Sequence, residues 1–216
     1  MKANQKTARI VGVLFLFIFV IGVTVYQVLQ APLSSENFLK EILTHRSQLV
    51  SSTILNMLSG IISIGIAVLL FQVFEKYSAH LARLYLAFTL LNFIAIVIDN
   101  GSVFSLLEFS EISTDISNTD TLNALKKVFS EKHWWTHYMS LLTSCFPVFV
   151  LYYTLFVANL VPKAISLIGI IASVLMFVEM IASIFGKGIS MNLMLPMAFI
   201  QLVLPIWLIA KGFKED

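Results

Sequence analysis

Cysteine is nearly missing from this chain: Cys145 is the only one, and it lies inside an apolar run. That excludes an intrachain disulfide and any multi-cysteine metal centre, and leaves the residue as a small packing group. Charge is scarce too. Only 12% of the 216 residues are charged, where an ordinary soluble domain carries about a quarter. The formal net charge of +2 is too small, and the basic residues too scattered, for a nucleic-acid surface, so no DNA or RNA partner is expected. Gly-rich phosphate loops, nucleophile elbows and kinase signatures are also missing.

What the chain does have is apolar length. Hydrophobic residues make up 58% of it, and the mean hydropathy is +0.90. Six runs bounded by charge, Pro or Gly fall near 10–28, 49–74, 84–107, 135–160, 164–185 and 191–210. Each is long enough to cross a hydrocarbon layer of ~30 Å, which takes about 20 helical residues. The expected fold is all-α: a polytopic six-helix membrane bundle forming one integral domain over 1–216, with the lipid bilayer as its principal partner. The first run follows Lys2, Lys6 and Arg9 as a signal peptide would. It is too long for a signal core and lacks a small-x-small cleavage site, so it reads as a retained span.

Short connections at 75–83 and 161–163 make spans two and three, and spans four and five, antiparallel hairpins. With both termini in the cytoplasm, Lys2, Lys6, Arg9, Lys76, Arg83, Lys163, Lys211 and Lys214 lie inside against Glu75, Glu215 and Asp216. The outer loops then hold Lys40, Arg46, Lys126, Lys127, Lys132 and Lys187 against Glu36, Glu41, Glu108, Glu111, Asp115, Asp120 and Glu131. That asymmetry follows the positive-inside tendency. Trp134 and Trp135 suit the outer interface and Trp207 the inner one. Pro147, Pro196 and Pro205 fall within spans and are expected to bend them. In the loop 110–132, Asp120 is placed to cap a short helix whose Leu122, Leu125 and Phe129 would rest on the membrane surface.

Polar residues recur at helical spacing: Ser52, Asn56, Ser59 and Ser63 in span two, His133, His137, Ser140 and Ser144 in span four. Span three offers Thr89, Asn92 and Asp99, and span five Glu179 and Ser183. Such seams must face each other or enclosed water, because an ionisable group at a span centre costs about 2.5–3.5 kcal/mol when it meets lipid. Counting along the helices puts Asn56, Asp99, His137 and Glu179 in one layer of the outer half. Three readings follow. The layer is a structural polar core; or a non-enzymatic pocket for a small molecule, proton or cation, with an imidazole able to titrate near neutral pH; or a metal-dependent intramembrane hydrolase. In the last, His133 and His137 with Asp99 or Glu179 would hold one divalent ion such as zinc. The residues between the histidines are Trp134, Trp135 and Thr136, so the His-Glu-x-x-His motif is absent. The pocket reading, without a cofactor, is the leading expectation.

Lys6-Thr7-Ala8-Arg9-Ile10, then Leu151-Tyr152-Tyr153 through Leu160-Val161-Pro162-Lys163 to Gly169, then Pro196 through Ile206-Trp207-Leu208-Ile209-Ala210-Lys211-Gly212-Phe213, together resemble the multi-pass family called Domain of Unknown Function 4386. The resemblance implies a bacterial cytoplasmic-membrane protein and carries over no catalytic residue. His137 matches a histidine at the start of that family's fourth span. Thr89 and Gln201 stand where the resemblance implies an arginine and a glutamate; losing both members of a buried ion pair together avoids leaving one charge stranded.

Overall fold

The computed structural model describes residues 2–35 and 37–214, so Glu36, Glu215 and Asp216 of the charge balance lie outside the described residues. Seven α-helices and no strand occur among the described residues: α1 Lys2–Val23, α2 Phe38–Thr44, α3 Arg46–Phe74, α4 Ala79–Ile112, α5 Thr119–Val157, α6 Lys163–Ile184 and α7 Leu195–Ala210. Six of these, all but the short α2, are long and apolar enough to cross a membrane, counting the turns that extend α1 and α7. The chain is a multi-pass membrane protein.

Local chemistry sets the ends. The Ser78 hydroxyl accepts from the Leu81 amide at the start of α4, and the Asn118 side chain accepts from the Thr121 amide at the start of α5. Asn159, at φ 52°, and Gly186, at φ +67°, close α5 and α6 in left-handed turns. In each the next amide reaches back five residues, Leu160 to the Leu155 carbonyl and Lys187 to the Ala182 carbonyl.

The long helices pack as a closed ring: α1 on α3, α3 on α4, α4 on α5, α5 on α6, α6 on α7, and α7 back on α1. Glycines permit two of these approaches. A Cβ on Gly60 would meet the Phe93 ring at 2.6 Å across the α3–α4 seam, and one on Gly12 would meet the Pro205 carbonyl oxygen at 2.8 Å across α1–α7. Both termini lie at one end of the ring. There Gln5 donates to the Phe213 carbonyl at 2.6 Å, Lys76 donates to Asn4 at 3.2 Å, and the Lys214 amide donates to the Leu160 carbonyl at 2.7 Å. The larger core fills this half, built on Phe74, Leu70, Leu155, Leu204 and Leu208; a smaller one around Leu49, Val103, Leu106 and Leu107 lies under α2 at the opposite, loop end.

Several expectations are corrected. The segment 110–132 holds no separate surface helix: 119–132 is the first third of α5, a single helix of 39 residues. Neither Gly nor Pro interrupts it before Pro147, and Asn118, not Asp120, caps it. The α4 and α5 rods, at ~1.5 Å per residue about 51 and 58 Å long, extend well past a ~30 Å hydrocarbon layer. Phe109 and Phe129 stack at 4.6 Å between their ends. Pro196 does not bend a span; it sits in the first turn of α7, where its missing N–H costs nothing. Trp207 stands near the inner end of α7, where its indole packs partly against the core and its N–H has no partner among the described residues. The first span reaches its expected end near Val28 by way of a π-helical stretch, Thr24–Leu29, that follows α1 and is itself followed by a 3-10 turn, Ala31–Ser34.

Candidate functional site

Most hydroxyls of the polar seams are satisfied within their own helix. Ser52 donates to the Leu49 carbonyl, Ser59 to Asn56, Ser63 to Ser59, Thr89 to Tyr85 and Ser144 to Leu141. These residues let helices approach and need no ligand. Three side-chain groups do reach between helices.

The first is centred on Asp99, on the inner face of α4 and 1% exposed. One carboxylate oxygen lies 3.1 Å from the Thr136 hydroxyl, which shares its single proton with the His133 carbonyl at 2.9 Å; the other lies 3.3 Å from His137 Nδ1. His133 Nδ1 is 4.0 Å from Asp99 and 2.8 Å from the Ser102 hydroxyl, which donates its own proton to the Asp99 carbonyl at 2.6 Å. A serine has one proton to give, so His133 carries its hydrogen on Nδ1. No lysine or arginine pairs with Asp99 among the described residues; two imidazoles are its only ion-pairing partners.

The second group adjoins it. Asn56 donates to Asn100 Oδ1 at 3.1 Å, and Asn100 donates to the Thr53 carbonyl at 3.2 Å, joining α3 to α4 one residue from Asp99. The π-helical stretch of α1 supplies Tyr26. Its ring lies 5.2 Å from that of His137, and its hydroxyl contacts Asn56 within the field of Asp99. Gln30, just beyond, donates to Ser52 at 3.3 Å, while the Gln48 amide donates to the Val28 and Leu29 carbonyls at 2.9 and 3.2 Å. Three helices thus close over Asp99 and His137. The third group is smaller: Asn92 ties α4 to α5 through the Ser140 carbonyl and the Thr143 hydroxyl.

Of the four residues expected in one layer, Asp99 and His137 meet, and Asn56 is linked to them through Tyr26 and Asn100. Glu179 does not take part in these bonds. Its buried carboxylate accepts from the Ser183 hydroxyl at 3.2 Å and from the Ile189 and Ser190 amides at 3.1 Å each, so it fastens the α6–α7 loop. Gly188 allows the loop to pass this close, since a Cβ there would lie 3.2 Å from the carboxylate. Sequence reasoning missed Tyr26, Asn100, Ser102 and Thr136. Asn100 and Ser102 flank Asp99 closely enough to have been found; nothing in the sequence announces the π turn that brings Tyr26 in. For the metal alternative, His133 turns its Nδ1 to Ser102 and Glu179 is engaged elsewhere. Among the described residues no three His, Cys, Asp or Glu side chains are placed to hold a metal ion together.

The family model for Domain of unknown function (DUF4386) matches residues 10–212, nearly the whole chain. The chain belongs to that family. Its matched region contains all of the Asp99 cluster, so in this DUF4386 protein the buried carboxylate lies within the family's domain and not in an appended segment. No curated protein and no solved structure matches the chain.

Proposed function

We propose that this DUF4386 protein is a non-enzymatic membrane protein whose Asp99–His137 pair takes up a proton or a small cation from the loop end of the bundle. One observation carries the reading: a carboxylate 1% exposed, inside a lipid-embedded ring, whose ion-pairing partners among the described residues are both imidazoles. A buried arginine or lysine would make the pair a fixed ion bridge. An imidazole can stand neutral or charged, so such a partner does not fix the site's total charge. The surrounding donors are neutral side chains on three helices, suited to hold a small ion and poorly suited to activate a substrate. The basic residues at the terminal end support an orientation with both termini in the cytoplasm, and the family resemblance supports a bacterial inner membrane.

The test is the melting temperature of the purified protein over about pH 5–8, with and without added sodium, potassium or magnesium. Wild type should respond to pH or to one of these ions. Asp99→Asn, which keeps the shape and the hydrogen bond from Thr136, should remain folded and lose the response. A wild type indifferent to both would sink the proposal, as would a response that survives in Asp99→Asn.

A further inference from the structure

A concavity lies elsewhere, between the ends of α4 and α5 beyond the Asp99 cluster. It is an open groove of about 600 Å³, lined chiefly by Gly101, Phe104, Phe109, Ile112, Leu125 and Phe129, a size in the range of about 300–1,000 Å³ usual for small-ligand sites.

Its position tells what can reach it. If the hydrocarbon layer begins just past Arg83, about 20 residues carry α4 across it to near Val103. Trp134 and Trp135 stand near that height on α5, 48% and 37% exposed for Trp135 and Trp134 respectively, as interfacial residues do. The groove therefore starts at the interface and rises out of the membrane, where Ile112, 60% exposed, and Phe104, 44% exposed, have no hydrocarbon around them. Below it, Ile94 and Ile98 continue the same face of α4 down the lipid-facing surface, 56% and 58% exposed, at the helical spacing that leads to Gly101. Gly101 leaves the foot of the groove open: a Cβ there meets nothing within 4 Å. At that foot the Lys132 ammonium is held by the Ser105 hydroxyl at 3.0 Å, with no carboxylate among the described residues bridged to it. Glu108, the acid on the groove's wall, lies 3.5 Å from Arg46, which also pairs with Glu111.

We propose that this groove holds one acyl chain of an anionic membrane lipid, lifted out of the adjacent leaflet, with the headgroup at Lys132. The occupant follows from continuity, since the apolar path leads from the lipid-facing side of α4 without a polar break until the groove is entered. It follows also from charge, since Lys132 at the entrance is paired with no carboxylate among the described residues. The inference is independent of proton or cation uptake at Asp99.

Binding of palmitoyl-lysophosphatidylglycerol and of uncharged monopalmitoylglycerol to the full chain in a nonionic detergent tests it, by displacement of a fluorescent fatty acid and by mass spectrometry of the intact complex. Saturable binding of one lipid per chain is expected. Gly101→Phe, which has room to fold, should weaken both lipids tenfold or more. Lys132→Gln should weaken the anionic lipid several-fold and leave the neutral one unchanged, a difference that a folding defect does not produce. Absence of saturable binding to wild type overturns the proposal, as does binding indifferent to both substitutions. A cross-linked dimer formed through Phe104→Cys in a Cys145→Ser background, and not competed by the lipid, overturns it in favour of a second copy of the chain.

Discussion

Replacing Glu179 separates a structural carboxylate from a ligand-binding one. Its three acceptor bonds go to Ser183 and to the amides of Ile189 and Ser190, and the loop they fasten, 185–190, is otherwise largely exposed. A hydrogen bond to a charged acceptor contributes about 1.5–3 kcal/mol. The two amides can turn to water once released, so the loss in Glu179→Ala should lie near the low end, about 2 kcal/mol for opening the loop. Lys187 stands exposed within that loop and reports the opening directly. At about 1.4 kcal/mol per factor of ten, trypsin should cut after Lys187 roughly 30-fold faster in Glu179→Ala, provided reclosing outpaces cleavage. Glu179→Gln loses the charge and one acceptor oxygen, but its remaining oxygen can still accept from the two amides while its NH2 faces the Ser183 hydroxyl, so about half the effect, roughly fivefold, is expected. Fragment masses over a digestion time course give both rates. Cleavage unchanged in Glu179→Ala, together with a lost response to pH or ions, would refute this account and return Glu179 to the functional site.

Three further outcomes follow from the same geometry. Gly60→Ala places a methyl against the Phe93 ring and should cost about 1–3 kcal/mol, read as a lowered melting temperature, whereas Gly101→Ala should be neutral or mildly stabilising. Asn56→Ala and Asn100→Ala should show a coupling near 0.6 kcal/mol, up to about 2, in a double-mutant cycle by denaturant titration; strict additivity would mean the amides do not bond in the membrane. Tyr26→Phe should change the pH or ion response while moving the melting temperature little, since the ring stays over His137 and only the hydroxyl facing Asn56 is lost.

The spans were legible because apolar length is a strong signal wherever water is excluded, and the inner faces were legible because polar residues repeat at helical spacing. The Asp99–His137 contact emerged from the same counting. Height alone could not tell a carboxylate aimed across the bundle from one turned toward its own following loop, which is why Glu179 was grouped with Asp99. The Gly186-Lys187-Gly188 sequence held the missing clue, because two glycines let a chain double back and bring amides over the preceding helix. The extension of α5 was hidden by its composition: 119–132 is too polar for a span and reads as a connector, yet nothing in it stops a helix that later residues sustain. The π stretch adds one residue to a turn without any residue type that marks it, so Tyr26 could not be aimed by periodicity.

The ring of helices is sealed by its first member against its last, with Gln5 and Phe213 joined across 208 positions. During synthesis α1 therefore reaches the bilayer with one flank uncovered, and that flank waits until α7 leaves the ribosome. Every intermediate that precedes α7 is an open crescent. Shortening the chain at its C-terminus should thus damage biogenesis more than its distance from the buried carboxylate suggests, by leaving crescents for the membrane's proteases.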